Sequence, residues 1–235
     1  MGYYNYYSYP KRKPNDPAAT VEKLRKKNPN INPIIIDGKL AKSWWAIAWN
    51  RNLEGYADYS SRISRGRSYV RSGAVVDLSI DAGEVKALVQ GTKKKPYEIV
   101  IKIDTLSEEK WEDITRHCSR KISNLEELVH GKFSKELEEL FTNKKSGLFP
   151  SPSEIKFSCD CPDWAYMCKH VAAVLYGIGA RFDSDPTLFF KLRNIEFAHL
   201  IKKSVDDRIA EMLKNSGKKT KRRMAESSIS KLFGV

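Results

Sequence analysis

From residue 43 onward, apolar positions recur at two periods, one suited to a helix and one suited to strands. Trp45, Ala48, Trp49 and Leu53 fall at helical spacing. Ser43 is a good N-cap ahead of them and Gly55 can close the helix. This tryptophan stripe reads as core rather than as a base-stacking platform. A period of two follows. The run RGRSYVRSG is taken as extended and leads into AVVDLSI, where Val76, Leu78 and Ile80 alternate with Asp77 and Ser79. Asp81-Ala82-Gly83 turns the chain into EVKALVQG. Lys93-Lys94-Lys95-Pro96 turns it again into YEIVIKI, where Tyr97, Ile99, Ile101 and Ile103 alternate with Glu98 and Lys102. Period two with short turns predicts an antiparallel meander of three or four strands.

Helical signals then return. Ser107 with Glu108 and Glu109 opens a helix whose apolar members are Trp111, Ile114 and Cys118. Cys118 is read as a small buried hydrophobe rather than a reactive thiol. Shorter helical pieces are expected near 124–130 and 134–142, and longer ones over 171–180 and 186–213. The fold class is α+β: an antiparallel meander packed with helices, then a cysteine-rich unit and C-terminal helices. Four segments are expected: a basic, flexible N-terminal tail over 1–38, an α+β unit over 39–148, a cysteine-rich unit with its following helices over 149–213, and a basic C-terminal tail over 214–235. The tail assignment for 1–38 rests on its prolines and lysines, which leave little apolar surface to offset ordering entropy.

Charge changes this picture. Across 235 residues the net charge is +13, which points to nucleic acid, an acidic partner or an anionic surface. No apolar run reaches the roughly 18 residues of a membrane-spanning helix. The N-terminus lacks the apolar middle of a secretory signal. A cytoplasmic protein with no membrane contact is expected.

The sharpest chemistry lies in CDCPDWAYMCKH, which places Cys159, Cys161, Cys168 and His170 within twelve residues. A cysteine nucleophile with His170 as base would leave two further thiols crowded beside it. A redox pair normally has C-x-x-C spacing at a helix start, whereas the close pair here is C-x-C. One structural zinc ion accounts for all four groups as a Cys3His tetrahedron. Cys168 and His170 are rotated by about 200° on a helix at 3.6 residues per turn, so they must straddle a helix start. With four protein ligands no position remains for an activated water, and a structural role is expected over catalysis.

The spacing C-x-C-x6-C-x-H, after a strand pattern and before KHVAAVLYGIG, resembles the SWIM zinc-finger family over about 155–180. More weakly, WWAIAW, SRGRSYVRSGAVVDLSIDAGEVKALVQGTKKKPYEI and GLFPSPSEIKFSCDCPDWAYMCKHVAAVLYGIGARFDSDPTLFFKLR are similar to stand-alone prokaryotic SWIM proteins, some associated with Swi2/Snf2-type helicases. The resemblance implies a ββα zinc unit with those four ligands. It also implies DNA binding or protein–protein interaction.

Two functions compete. The first is a nucleic-acid-binding accessory factor, with DNA the expected form. In an extended run, Arg65, Arg67, Tyr69 and Arg71 would share one face, with Arg62 just before them, and would offer guanidinium groups to phosphates and a ring to a base. The plainer alternative pairs these arginines with Glu54, Asp58 or Asp77. The second function is an adaptor docking a Swi2/Snf2-type ATPase, for which Ile229, Leu232 and Phe233 make an i, i+3, i+4 triplet. The same triplet equally suits packing on the chain's own fold. No phosphate loop, dinucleotide turn or paired-carboxylate motif is present, so neither an enzyme nor a small-molecule substrate is expected.

Overall fold

Alternation of buried and exposed side chains along three consecutive segments builds the sheet. The computed structural model describes residues 15–112, 141–143, 147–195 and 197–216. Strands β1 (Val75–Asp81), β2 (Glu84–Val89) and β3 (Tyr97–Ile103) form the meander, and β4 (Ile155–Cys159) joins it. The order is β1-β2-β3-β4 with every pair antiparallel. One face carries Val85, Val89, Ile99 and Ile101, all buried. The other carries Lys86, Lys102 and Lys156, all exposed.

Among the described residues, three helices precede the sheet: α1 (Pro17–Arg25), α2 (Trp44–Glu54) and α3 (Ser60–Arg71). Three follow it: α4 (Lys169–Ser184), α5 (Thr187–Leu192) and α6 (Phe197–Ser216). Helix α4 crosses the apolar face and touches all four strands, while α2 and α3 pack on its outer side. It is therefore apolar nearly all round, as a helix sandwiched between two layers must be. Val171, Ala173, Val174 and Ile178 are each at most 1% exposed. The α+β class, the meander and the helix from Ser43 to Gly55 are as the sequence predicts; Ser43 accepts from the Ala46 amide, and Trp49 is fully buried. Ser107 likewise caps the helical residues 108–112, its side chain accepting from the Lys110 amide at 3.4 Å.

The run RGRSYVRSG is a correction: it is not extended but belongs to α3. Its alternation came from polar side chains, whereas Ile63, Gly66 and Val70, at i, i+3 and i+7, set the buried face. At Gly66 a methyl group would lie 2.5 Å from the Ala172 Cβ, so the lack of a side chain is what lets α3 approach α4. The expected tail is also corrected from residue 15 onward. Asp16 caps α1, and residues 32–34 cover the free edge of β1, with the Ile34 amide donating to the Val75 carbonyl at 3.0 Å and the Leu78 amide to the Asn32 carbonyl at 3.1 Å. Ile34 is only 2% exposed. The expected helix over 186–213 is interrupted at Asn194, whose φ of 56° breaks it into α5 and α6. The boundary drawn near 148 coincides with a loop but not with a break in packing, because β4 and α4 share the sheet and core with residues before it.

Cys118, the helical pieces before 141 and the Ile229, Leu232, Phe233 triplet lie outside the described residues. No helix among the described residues is long and apolar enough to cross a membrane.

Candidate metal centre

The end of β4 and the start of α4 bring four donor side chains together. Cys159 is the last residue of β4 and Cys161 follows it by two. Cys168 is the N-cap of α4, its Sγ accepting from the Val171 amide at 3.5 Å, and His170 lies in the first turn. The donor atoms of Cys159, Cys161, Cys168 and His170 all lie within 4.8 Å of one another. His170 Nδ1 stands 3.9 Å from both Cys159 Sγ and Cys168 Sγ. A zinc ion with bonds of about 2.3 Å to sulfur has tetrahedral edges near 3.8 Å, so the four groups match a Cys3His cage.

The thiols show why a cation belongs there. Cys168 is lowered, chiefly because the Cys159 thiol donates to it, against the opposing effect of burial. Cys159 is raised by that same donation and then by burial. Burial also raises Cys161. Three thiolates this close repel one another, and only a cation among them lets all three ionise together. The set of ligands is thus able to hold one zinc ion. All four positions come from the protein.

Aromatic rings fix the histidine. Tyr97 stacks on His170 with centroids 4.3 Å apart, and Tyr69 meets it edge-on at 5.4 Å. His170 is 1% exposed and turns its Nε2 toward Gly91, where an added Cβ would sit 3.3 Å from that nitrogen. The residue between the first two cysteines ties the site to the sheet. Asp160 Oδ1 accepts from the Glu98 amide at 3.0 Å, and the Asp160 amide donates to the Glu98 carbonyl at 3.3 Å.

The loop between Cys161 and Cys168 is clamped from the α2–α3 connection and the first turn of α3. Arg62 Nη2 donates to Asp163 Oδ1 at 3.1 Å and Arg62 Nε lies 2.9 Å from Oδ2. Burial raises the Asp163 carboxyl, but the hydrogen bonds from Arg62 and the Ala165 amide, with the charges of Arg62 and Lys169, together outweigh it and hold that group below its ordinary value. The Tyr166 amide donates to Asp58 Oδ2 at 2.8 Å, and the Tyr166 hydroxyl to the Ile155 carbonyl at 2.8 Å. Tyr59 supports Trp164 edge-to-face at 5.5 Å. Trp164 itself is 78% exposed.

The expected nucleic-acid residues are dispersed by the helical geometry of α3. Arg62, Arg65 and Tyr69 share one flank at i, i+3 and i+7. Arg67 points to the other flank, where Nη2 reaches Glu54 at 2.6 Å and Nε donates to the Tyr176 hydroxyl at 2.8 Å. Arg71, one turn after Arg67 on that same flank, is exposed at the helix end. Two of the four arginines are therefore engaged within the fold, and Glu54 is one of the partners the sequence suggested. Sequence reasoning passed over Trp164 and Tyr59, although a tryptophan inside a ligand loop, far from any helical or strand stripe, was a readable signal.

Residues 152–177 match the SWIM zinc finger model. Over 165 residues the chain is 35% identical to a protein of Mycobacterium tuberculosis described as uncharacterized. That alignment covers 70% of this chain and 59% of the relative, so the chain spans less than two thirds of that protein's length. No solved structure matches.

Proposed function

We propose that this chain is a non-catalytic protein that binds single-stranded nucleic acid, DNA in the first place, through a surface organised by its structural zinc. The observation that carries this reading is Trp164. A tryptophan 78% exposed on a loop held by a metal cage, an ion pair and a main-chain hydrogen bond loses little entropy when a base stacks on it. Cations lie along the same side. Arg62, its charge already paired with Asp163, braces the Tyr59 ring, Arg65 follows one helical turn later, and Lys169 Nζ stands 5.7 Å from the centre of the Tyr69 ring. Arg67 is excluded from this surface by its partners, and Arg71 because it lies on the Arg67 flank of the helix, opposite Arg62.

A fluorescence-anisotropy titration with a labelled oligo-dT, its ribose counterpart and a duplex tests the reading. Single strands should bind more tightly than duplex. Trp164→Ala should weaken single-strand binding by about 1–3 kcal/mol, the worth of one stacked base. Equal affinity for parent and variant would remove the stacking surface from consideration.

A second reading, docking to a protein such as the Swi2/Snf2-type ATPases implied by the resemblance, draws on α6. Its Val205, Ile209, Met212 and Leu213 recur at helical spacing and are 50–71% exposed. A pull-down with and without nuclease separates the two: a nuclease-resistant ATPase favours α6 docking, a nuclease-sensitive set of partners favours nucleic acid.

A further inference from the structure

Away from the zinc cage, helix α1 and the β2–β3 turn enclose a cleft of about 740 Å³. Its walls carry Lys23 and Lys27 on one side and Lys94 and Lys95 on the other, over a floor that includes Leu24 and Leu88. Leu88 lies on the sheet face opposite α4, so this cleft opens on the side that the core leaves free. Two carboxylates also border it, and both are already engaged. Asp16 caps α1 by accepting from the Ala18 amide at 2.9 Å, and Glu98 pairs with Lys95 at 2.7 Å. Lys23, Lys27 and Lys94 make no ion pair among the described residues.

A lysine-bearing turn on a surface loop would ordinarily be loose. Here it is stapled. Gln90, 1% exposed, donates through Nε2 to the Gly91 and Lys93 carbonyls at 2.9 and 2.8 Å. Its Oε1 accepts from the Thr20 hydroxyl of α1 at 2.9 Å, and Asn15 Nδ2 adds a bond of 2.6 Å to the Lys93 carbonyl. A buried amide thus fixes the two lysine-bearing walls relative to each other. Like charges held across a fixed gap repel, and the arrangement is relieved by a bound polyanion that displaces their counterions.

The turn that bears the cleft lysines also reaches the zinc site through its neighbours. Lys93 Nζ stands 4.8 Å from the centre of the Tyr97 ring, Tyr97 stacks on His170, and Tyr69 closes the other side of His170 beneath Lys169. Glu98, at the cleft border, is bonded in both directions to Asp160 between the zinc cysteines.

We propose that this cleft is a track for the phosphodiester backbone of the same nucleic-acid strand whose base stacks on Trp164. Lys23, Lys27 and Lys94 contact its phosphates, and Lys93 and Lys169 bridge the two regions. The proposal rests on the nucleic-acid reading above, and the test separates the two. Oligo-dT affinity is measured by anisotropy from low to physiological salt for four proteins: parent, Trp164→Ala, the triple variant Lys23→Ala/Lys27→Ala/Lys94→Ala, and a control, Lys42→Ala/Lys202→Ala/Lys214→Ala, that removes the same charge elsewhere. Each phosphate contact on a single strand contributes about 0.7 to the log–log salt slope, so the cleft triple should lower it by about 2. Trp164→Ala should lower affinity with the slope unchanged, and the control triple should keep the parent slope. A cleft triple with the parent slope, or one lowered no more than the control, overturns the cleft and leaves the stacking reading standing. A parent that binds no oligo-dT overturns both.

Discussion

The imidazole of His170 lies face to face with the ring of Tyr97, centroids 4.3 Å apart and planes 28° from parallel. The ring sets the orientation of a ligand whose Nδ1 must point at three sulfurs. Groups that orient a ligand commonly alter metal affinity by 10–100-fold when removed. Tyr97→Leu should therefore weaken zinc binding by about that factor, while Tyr97→Phe, which keeps the ring, should not. Gly91→Ala should resemble Tyr97→Leu, because its Cβ would lie 2.6 Å from Tyr97 Cε2. Chelator competition with a colorimetric zinc reporter measures this. Parent-like affinity in Tyr97→Leu would show that the stacking is incidental.

Zinc should be needed for the fold as a whole. Cys159 ends β4 and Cys168 caps α4, and α4 touches every strand of the sheet. Losing the ion leaves three crowded thiols, Cys168 among them buried, at the junction of the two elements that join the layers. Metal analysis should give one zinc per chain. Cys168→Ser should abolish it and yield an unfolded or aggregating protein, whereas Cys118→Ser should retain full zinc. A chelated chain that melts cooperatively at the parent temperature would contradict this.

Helix α3 and α4 meet at a contact that admits no side chain. At Gly66 an added methyl would lie 2.5 Å from Ala172 Cβ, 3.0 Å from the Ala172 carbonyl carbon and 3.1 Å from the Ala173 amide nitrogen. Two of those three atoms are backbone, so neither helix can yield by rotating a side chain. Overpacking of this kind costs about 1–3 kcal/mol. Gly66→Ala should lower Tm by several degrees, while Ser68→Ala, on the exposed side of the same helix, should leave it unchanged. Equal Tm for the two variants would mean that the helices part without cost.

Those contacts explain which parts of the molecule were legible in the sequence. The meander was readable because its apolar residues alternate and its turns carry glycine or proline. The zinc ligands were readable because donor chemistry and spacing are local. Helix α3 was misread because its buried face includes a glycine, which contributes nothing to an apolar stripe yet decides how closely two helices approach. The segment from Asn15 to Ile36 was misread because its anchors are long-range: Thr20 to Gln90, Ile34 to Val75, and Asn32 to Leu78. Composition measures apolar content, and here few residues suffice because a free strand edge supplies the rest. The Trp164 platform was missed because its support, Tyr59, Asp58 and Arg62, is remote in sequence from the loop it holds.

Acid should weaken the strand that leads into the zinc site, through Glu154. Burial raises this carboxyl, but the Ser151 amide and Arg193 outweigh it and bring it down to about 2. Arg193 is fully buried and donates to Glu154 Oε1 at 3.0 Å and to the Asp104 carbonyl at 2.7 Å, so the pair joins the end of α5 to the start of β4. The folded value lies below the ordinary value of 4.5, so ionised Glu154 stabilises the fold. That contribution is complete above about pH 4.5 and is lost as the pH falls from there toward 2. Glu154→Gln removes the charge at every pH and leaves the buried guanidinium without its counter-ion, which is the costly way to break such a pair. At pH 7 the variant should melt several degrees below the parent. The gap should hold down to about pH 5 and narrow steadily below 4.5. Zinc thiolates protonate in both proteins alike, so the difference between the two melting curves isolates Glu154. A gap that stays constant from pH 7 to 3 would show that the carboxylate charge contributes nothing.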